Sequence, residues 1–169
     1  MWSEQGKALL ITGGAGYIGT HTCLVLLQRG YRCTVVDNLL NGSEEGLHRV
    51  REMAGCDNAE TEHRLQFFKA DLCDEEALED VFSAAAKTGT PFDICIHFAS
   101  LKAVGESVQK PLFYYENNIR GTLNLLRLMD KHSCFIRRPL SSTEAPRCPS
   151  RSKRRWGAAS QMRTAALST

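Results

Sequence analysis

Two hydrophobic patterns alternate along the first 134 residues. Short, nearly continuous apolar runs predict strands that are buried on both faces, as in a parallel sheet. Longer segments, in which apolar residues recur every three or four positions, predict amphipathic helices. The predicted strands are residues 7–12, 32–37, 65–70 and 93–98, and the predicted helices are residues 21–29, 44–54, 75–87 and 112–132.

This order of elements is typical of an α/β domain, in which crossover helices cover the faces of a parallel sheet. We expect a Rossmann-type, doubly wound parallel sheet of about four strands, incomplete because such sheets usually continue further. After Cys134 neither pattern persists, and residues 137–169 consist mainly of Arg, Ser, Pro and Ala. We therefore predict an α/β part over residues 1–134 and an irregular tail over residues 135–169.

The charge changes at nearly the same place. Residues 1–136 hold 13 Lys and Arg against 18 Asp and Glu, a net charge of −5, whereas residues 137–169 hold 8 against 1, a net charge of +7. No apolar run approaches the ~18 residues of a membrane span, and residues 1–7 lack the apolar core of a signal peptide. Seven scattered cysteines without a CxxC pair favour reduced thiols in a cytoplasmic protein.

A glycine-rich turn, TGGAGYIG at residues 12–19, joins the first predicted strand to the first predicted helix. It fits G-x-G-x-x-G through Gly14, Gly16 and Gly19, and it fits G-x-x-G-x-x-G when Gly13 replaces Gly14. Such glycines permit a sharp turn, close approach of the backbone to a pyrophosphate, and tight packing of helix on strand. The turn predicts a dinucleotide site, with a merely structural turn as the alternative.

Asp37 strengthens the first interpretation because it ends the second strand, 18 residues beyond Gly19. A carboxylate at that place can accept hydrogen bonds from a ribose diol, and it repels the 2′-phosphate of NADP. We therefore expect the site to take NAD in preference to NADP.

Two further segments carry a specific resemblance: IHFASLKAVGESVQKP at residues 96–111 and YYENNIRGT at residues 114–122. Together with the glycine turn and Val36-Asp37-Asn38, they resemble the UDP-glucose 4-epimerases of the extended short-chain dehydrogenase/reductase family over about residues 7–134. The resemblance implies NAD as cofactor, a UDP-hexose as substrate and a homodimer in the intact family, with neither nucleic acid nor membrane as a partner.

The resemblance also implies which residues hold NAD, and most of them follow strands. It assigns the pyrophosphate to Gly13, Gly16, Tyr17, Ile18 and Gly19. It assigns the adenosine to Asp37, Asn38, Asn41, Gly42, Asp71 and Leu72. It assigns the nicotinamide half to Phe98, Ala99, Ser100 and Lys102, and a further cofactor contact to Asn117. The family usually has glycine at position 100.

In these epimerases, as the resemblance implies, NAD accepts hydride from C4 of the UDP-hexose, and the 4-keto sugar turns over before hydride returns. A Tyr-x-x-x-Lys pair supplies the base, because a nearby lysine lowers the pKa of the tyrosine. The residues four positions after the four tyrosines are His21, Val35, Asn118 and Ile119. We therefore assign no catalytic residue and expect this chain to be an inactive part of such an enzyme, with a non-catalytic NAD-binding module as the alternative.

Several polar residues also have structural interpretations. His97, inside an apolar strand, is typical of a hydrogen-bonded core histidine, and Cys95 is typical of core packing. Lys102, Asn117 and Asp71 have solvated or capping roles as alternatives to cofactor contacts. We expect no metal site, and we interpret the acidic loop of Asp57, Glu60 and Glu62 as solvated surface.

The basic tail has an explanation in the reading frame. Codons for residues 137–146 can be written so that the frame one nucleotide earlier reads Ser-Ser-Ala-Thr-Val-Val-Tyr-Gly-Ser-Pro, which resembles the next strand of the family. We expect residues from about 135 onward to be an out-of-frame or mis-spliced product. The remote alternative is a nucleic-acid-binding element at Arg151-Ser-Lys-Arg-Arg155.

The transcript around codons 130–140 tests the reading-frame hypothesis directly. Sequencing is expected to find that peptide in the neighbouring frame, followed downstream by a Tyr-x-x-x-Lys codon series. A neighbouring frame without either feature contradicts the hypothesis.

Overall fold

The computed structural model describes residues 6–56, 58 and 61–137 of the 169-residue chain. Its strands are β1 (Ala8–Thr12), β2 (Arg32–Asp37), β3 (Leu65–Lys69), β4 (Ile94–His97) and β5 (Phe135–Arg137). Its helices are α1 (Tyr17–Gln28), α2 (Glu44–Met53), α3 (Glu75–Lys87), α4 (Val104–Gln109), α5 (Pro111–Tyr115) and α6 (Gly121–Lys131). A 3-10 turn spans Glu62–Arg64, and a π turn, Glu116–Arg120, joins α5 to α6.

The strands form one parallel sheet in the order β3-β2-β1-β4-β5, which confirms the predicted Rossmann-type fold. All five residues of β1 are buried, as expected for the central strand. Successive residues of β1 point to opposite faces. Leu10 therefore packs with α3 and α6 on one face, and Leu9 and Ile11 pack with α1 and α2 on the other.

The four predicted strands are confirmed within a residue or two, and the structure adds β5 at positions that the sequence analysis assigned to the tail. The chain divides into the units Met1–Pro139 and Leu140–Thr169. The second unit lies outside the described residues, so the division at 134 and the reading of the tail stay predictions. Among the described residues, no helix is long and apolar enough to cross a membrane.

Two helices differ from their predicted bounds. Helix α1 begins at Tyr17, four residues before the prediction, because its buried positions are Gly19, Cys23 and Leu27 and a glycine hides the apolar pattern. The predicted helix 112–132 is instead α5, the π turn and α6. Helix α4 was not predicted, since it has only six residues and none of them is buried.

The described cysteines are free thiols, and all except the half-buried Cys73 pack as small apolar side chains. Cys95 is fully buried, which confirms its predicted place in the core. Burial raises the pKa of the Cys23 thiol to about 12. The Cys23 thiol therefore stays protonated at neutral pH and is a poor nucleophile.

Glu79 joins α3 to the end of α6. Its Oε1 accepts hydrogen bonds from Lys131 Nζ at 2.9 Å and Ser83 Oγ at 3.3 Å, and it lies 3.1 Å from His132 Nε2. The hydrogen bond from Lys131, ahead of the one from His132, holds the pKa of this carboxyl below its ordinary value of 4.5. The contribution of Glu79 to stability is therefore present above pH 4.5 and is lost as the pH falls through the lowered pKa.

We predict that Glu79→Gln lowers the melting temperature at pH 7 and that the difference from wild type shrinks on acidification below the ordinary pKa of a glutamate. Thermal unfolding at a series of pH values measures the effect. Asp80→Asn, at the exposed neighbouring position, is the control and should give no such pH-dependent difference. A Glu79→Gln difference that is constant with pH would contradict the role of the ionised carboxylate.

Candidate nucleotide-binding site

A cleft of about 340 Å³ opens at the carboxyl edge of the sheet, around the point where β1 has β2 on one side and β4 on the other. In open α/β sheets this switch point is where ligands bind. The structure brings all sixteen sequence-predicted residues to this cleft: Gly13, Gly16, Tyr17, Ile18, Gly19, Asp37, Asn38, Asn41, Gly42, Asp71, Leu72, Phe98, Ala99, Ser100, Lys102 and Asn117. Four lining residues were not predicted, namely Val36, Leu40, Ala70 and Leu101.

The glycine turn passes close to other backbone at two places. Gly13 has φ +69°, and a Cβ on it would lie 2.5 Å from the backbone N of Ala99. A Cβ on Gly19 would lie 2.5 Å from the carbonyl O of Gly13. Gly14 instead packs on the Val35 side chain and does not line the cleft. Of the two glycine patterns in the sequence, the one through Gly13 therefore describes the cleft.

Gly16 is the residue before α1 and lies in extended backbone, φ −77° and ψ 173°. A Cβ on it would meet only the Gly13 carbonyl, at an ordinary 3.4 Å. The protein itself therefore does not require glycine here. The first N–H groups of α1 have no acceptor within the helix and carry its positive dipole end, so the start of α1 suits a phosphate.

Asp37 forms the wall on the β2 side and is nine-tenths buried. Its Oδ2 accepts from the Ala15 N–H at 3.0 Å, and its Oδ1 accepts from the Leu39 N–H at 2.8 Å. Two hydrogen bonds leave a carboxylate with further acceptor capacity. The carboxylate is thus held in place by backbone and can still accept from a ligand hydroxyl.

Asn38 and Asp71 connect the loops that follow β2 and β3. Asn38 Nδ2 donates to Asp71 Oδ2 at 2.9 Å, and the Cys73 N–H donates to Asp71 Oδ1 at 2.8 Å. Partial burial raises the pKa of the Asp71 carboxyl, but these hydrogen bonds outweigh it and hold the pKa below the ordinary value of 3.8. The Asp71 carboxyl on the β2 side of the cleft is therefore ionised at neutral pH.

On the β4 side, an amide of the π turn holds the loop after the strand. Asn118 Oδ1 accepts from the Leu101 N–H at 2.8 Å, and Asn118 Nδ2 donates to the Leu101 carbonyl at 2.9 Å. Asn117, which lines the cleft, donates from Nδ2 to Asn118 Oδ1 at 2.9 Å. Asn118 was not predicted from the sequence, because no local pattern indicates a hydrogen bond to backbone 17 residues away.

A second amide ties α6 to the β2 side. Asn124 is buried and donates from Nδ2 to the Leu72 carbonyl at 3.1 Å and to the Cys73 carbonyl at 3.3 Å. Gly121 allows this approach, since a Cβ on it would lie 3.0 Å from the Leu72 Cβ. One continuous helical segment therefore holds both loops that border the cleft.

His97 does not line the cleft; its ring lies between two threonine hydroxyls, which agrees with the hydrogen-bonded interpretation.

Among the described residues, no group of three His, Cys, Asp or Glu side chains is placed to hold a metal. Asp57 and Glu60 of the acidic loop lie outside the described residues, and Glu62 starts the 3-10 turn. The cleft thus offers backbone N–H groups, two carboxylates and amides, which together suit a ribose and a diphosphate.

The fold and this cleft define the class as Rossmann-type nucleotide-binding α/β proteins. Residues 10–145 match the family model described as GDP-mannose 4,6 dehydratase. The chain therefore belongs to that family, within the extended short-chain dehydrogenases/reductases.

Relatives within the family are UDP-glucose 4-epimerases. The chain is 54% identical over 130 residues to the enzyme GEPI48 of Cyamopsis tetragonoloba and 50% identical over 125 residues to that of Bacillus subtilis. These alignments cover 77% and 74% of this chain and 35% and 33% of the relatives. The chain thus spans about a third of the length of these relatives.

Solved structures agree with these relatives. The UDP-glucose 4-epimerase of Bifidobacterium longum, in complex with NAD+ and UDP, is 42% identical with a TM-score of 0.66, covering 76% of this chain and 36% of that one. The UDP-Glc/GlcNAc 4-epimerase of Campylobacter jejuni is 33% identical with a TM-score of 0.65, and the match covers 77% of this chain and 36% of that one.

We predict that Gly13→Ala destabilises the protein much more than Gly55→Ala. Both glycines have similar positive φ angles, +69° and +64°, but a Cβ on Gly55 meets nothing within 4 Å. Gly55→Ala should therefore cost only the backbone strain of ~1 kcal/mol, whereas Gly13→Ala adds the steric conflict with Ala99, for ~3 kcal/mol in total. Chemical unfolding measures both, and equal losses would contradict the close contact.

Proposed function

We propose that this chain is the NAD-binding part of a UDP-glucose 4-epimerase. The observation that carries the proposal is the cleft itself, in which the glycine turn lies at the switch point with Asp37 on one side and the β4 loop on the other. The name of the Bifidobacterium longum structure, which includes NAD+ and UDP, supports the same ligand class.

In this proposal each part of the cleft has one task. The start of α1, at Tyr17 and Ile18, offers backbone N–H groups to the pyrophosphate. Asp37 accepts from the adenosine ribose, and the Asn38–Asp71 pair borders the adenine. The β4 loop and Asn117 border the nicotinamide, because a dinucleotide extends across the switch point to the other half of the sheet.

The chemistry of the whole enzyme needs more than these residues. When bound, NAD supplies the hydride acceptor for C4 of a UDP-hexose. The residues of this chain bind that cofactor and orient its two halves, whereas none of the four tyrosines has a lysine four positions later. We propose that the base and the UDP-hexose site belong to the part of the relatives that this chain does not match. We expect the 169-residue chain to bind NADH without converting UDP-galactose.

Gly16→Ala tests the site, because the fold tolerates a Cβ there while a pyrophosphate does not. We predict that the free energy of unfolding of the variant lies within ~1 kcal/mol of the wild-type value. We also predict that the variant binds NADH at least about tenfold more weakly, a loss of ~1.4 kcal/mol in binding free energy. Gly105→Ala, on exposed helix α4 where a Cβ meets nothing within 4 Å, is the matched control and should bind as wild type does. Fluorescence titration of NADH measures the affinities.

The same titration with NADPH tests the role of Asp37. Repulsion between its carboxylate and the 2′-phosphate should make NADPH the weaker ligand by about tenfold or more. Unchanged NADH binding by Gly16→Ala, or equal affinity for both nucleotides, would contradict the proposed placement.

A further inference from the structure

A chain of side-chain hydrogen bonds runs beneath the β4 side of the cleft. Thr12 and His97 are opposite each other in the parallel pair β1–β4, and Thr12 Oγ1 lies 2.6 Å from His97 Nδ1. On the other side of the ring, His97 Nε2 lies 3.1 Å from Thr122 Oγ1 on α6. The Thr122 hydroxyl in turn donates to the carbonyl of Asn118, at 2.6 Å.

For a neutral His97 ring, the donors and acceptors along this chain define one arrangement of protons. Because the Thr122 hydroxyl gives its proton to the Asn118 carbonyl, its oxygen is left to accept from His97 Nε2–H. In the neutral ring Nδ1 then carries no proton and accepts from the Thr12 hydroxyl. The neutral Nε2–H tautomer of His97 therefore satisfies every member of the chain, from β1 to the π turn.

The end of this chain is attached to the wall of the cleft. Asn118, whose carbonyl accepts from Thr122, is also the residue that holds both backbone groups of Leu101. Its side chain accepts from Asn117, which lines the cleft. A π turn widens the helix locally and is frequent at functional sites. The orientation of this turn decides where the amides of Asn117 and Asn118 point.

We propose that His97 is a positioning residue for the ligand: through Thr122 it fixes the π turn and, with it, the wall of the cleft on the β4 side. This inference rests on the proposed function, because it takes the cleft to hold a dinucleotide. The hydrogen bond from His97 to Thr122 leads to that wall, whereas Asp37, Asn38 and Asp71 line the opposite one. Loss of the His97–Thr122 hydrogen bond should weaken contacts to the nicotinamide half and spare the adenosine half.

Two substitutions of His97 separate the hydrogen bond with Thr122 from the hydrogen bond with Thr12. In His97→Gln the amide Nε2 can still donate to Thr122, whereas in His97→Asn the side chain is too short to reach Thr122 but can still accept from Thr12. Binding of NADH and of ADP-ribose, which lacks the nicotinamide, is measured by titration for each full-length chain. We expect His97→Asn to lose about tenfold in NADH affinity, the size of one lost hydrogen bond, with ADP-ribose affinity unchanged. His97→Gln should bind both ligands nearly as wild type does.

Thr122 gives a second, independent pair of variants. Thr122→Val keeps the side-chain shape without the hydroxyl, and Thr122→Ser keeps the hydroxyl. We expect the valine variant to show the same selective loss of NADH affinity as His97→Asn. The serine variant should bind NADH nearly as wild type does. Because the two pairs lie on different elements, a folding defect in one still leaves the other as a test.

A spectroscopic measurement checks the proton arrangement without any ligand. ¹⁵N spectra of the histidine-labelled chain, with the His97 signals assigned by their loss in His97→Gln, should show the neutral Nε2–H tautomer. An Nδ1–H tautomer would overturn the proposal. Parallel loss of NADH and ADP-ribose affinity in His97→Asn, or no loss of either, would overturn it while leaving the proposed function intact. A wild-type chain that binds neither ligand would overturn the proposed function and this inference together.

Discussion

Backbone contact between the turn after β1 and the loop after β4 is the constraint on which the site depends. Gly13 lies so close to Ala99 that a single Cβ would have to share space with backbone atoms. This contact brings the two sides of the sheet together at the switch point, because β2 and β3 lie on one side of β1 and β4 lies on the other. The turn after β1 and the loop after β4 can close the bottom of the cleft only because no side chain at Gly13 separates them.

The walls of the cleft depend on the helical segment that crosses behind it. Asn118 holds the loop after β4 and Asn124 holds the loop after β3, so both loops are hydrogen-bonded to one continuous helical segment. Each amide satisfies buried backbone groups that would otherwise carry a desolvation penalty of ~1–3 kcal/mol. Residues that line the cleft are thus held in place by residues that do not line it.

The sequence alone was sufficient for the elements whose burial is regular. Strands such as Arg32–Asp37 are buried along almost their whole length, and their bounds could be predicted to within a residue or two. The start of α1 was hidden because Gly19, one of its buried positions, looks like a break in the pattern. The π turn was hidden because its sequence, ENNIR, contains a single apolar residue and so has no apolar spacing in which an extra residue could be seen.

For the site, motifs and resemblance led to sixteen positions that the structure gathers around one cleft. Asn118 and Asn124 escaped prediction because polar residues in a helix normally indicate a solvated face. Their partners are backbone groups 17 and 51–52 residues away, which no periodic pattern reports. Hydrogen bonds between residues so far apart in the sequence could therefore be identified only from the three-dimensional structure.

The π turn also changes the direction in which side chains point, so that residues before and after it face different sides of the helical segment. An α-helix turns by about 100° per residue, so one extra residue within a turn rotates everything beyond it by roughly that angle relative to an unbroken helix. Asn117 can therefore face the cleft while Leu125, Leu128 and Met129 face the core. The position of an insertion, rather than the choice of side chains alone, determines which helical residues line the cleft and which pack against the sheet.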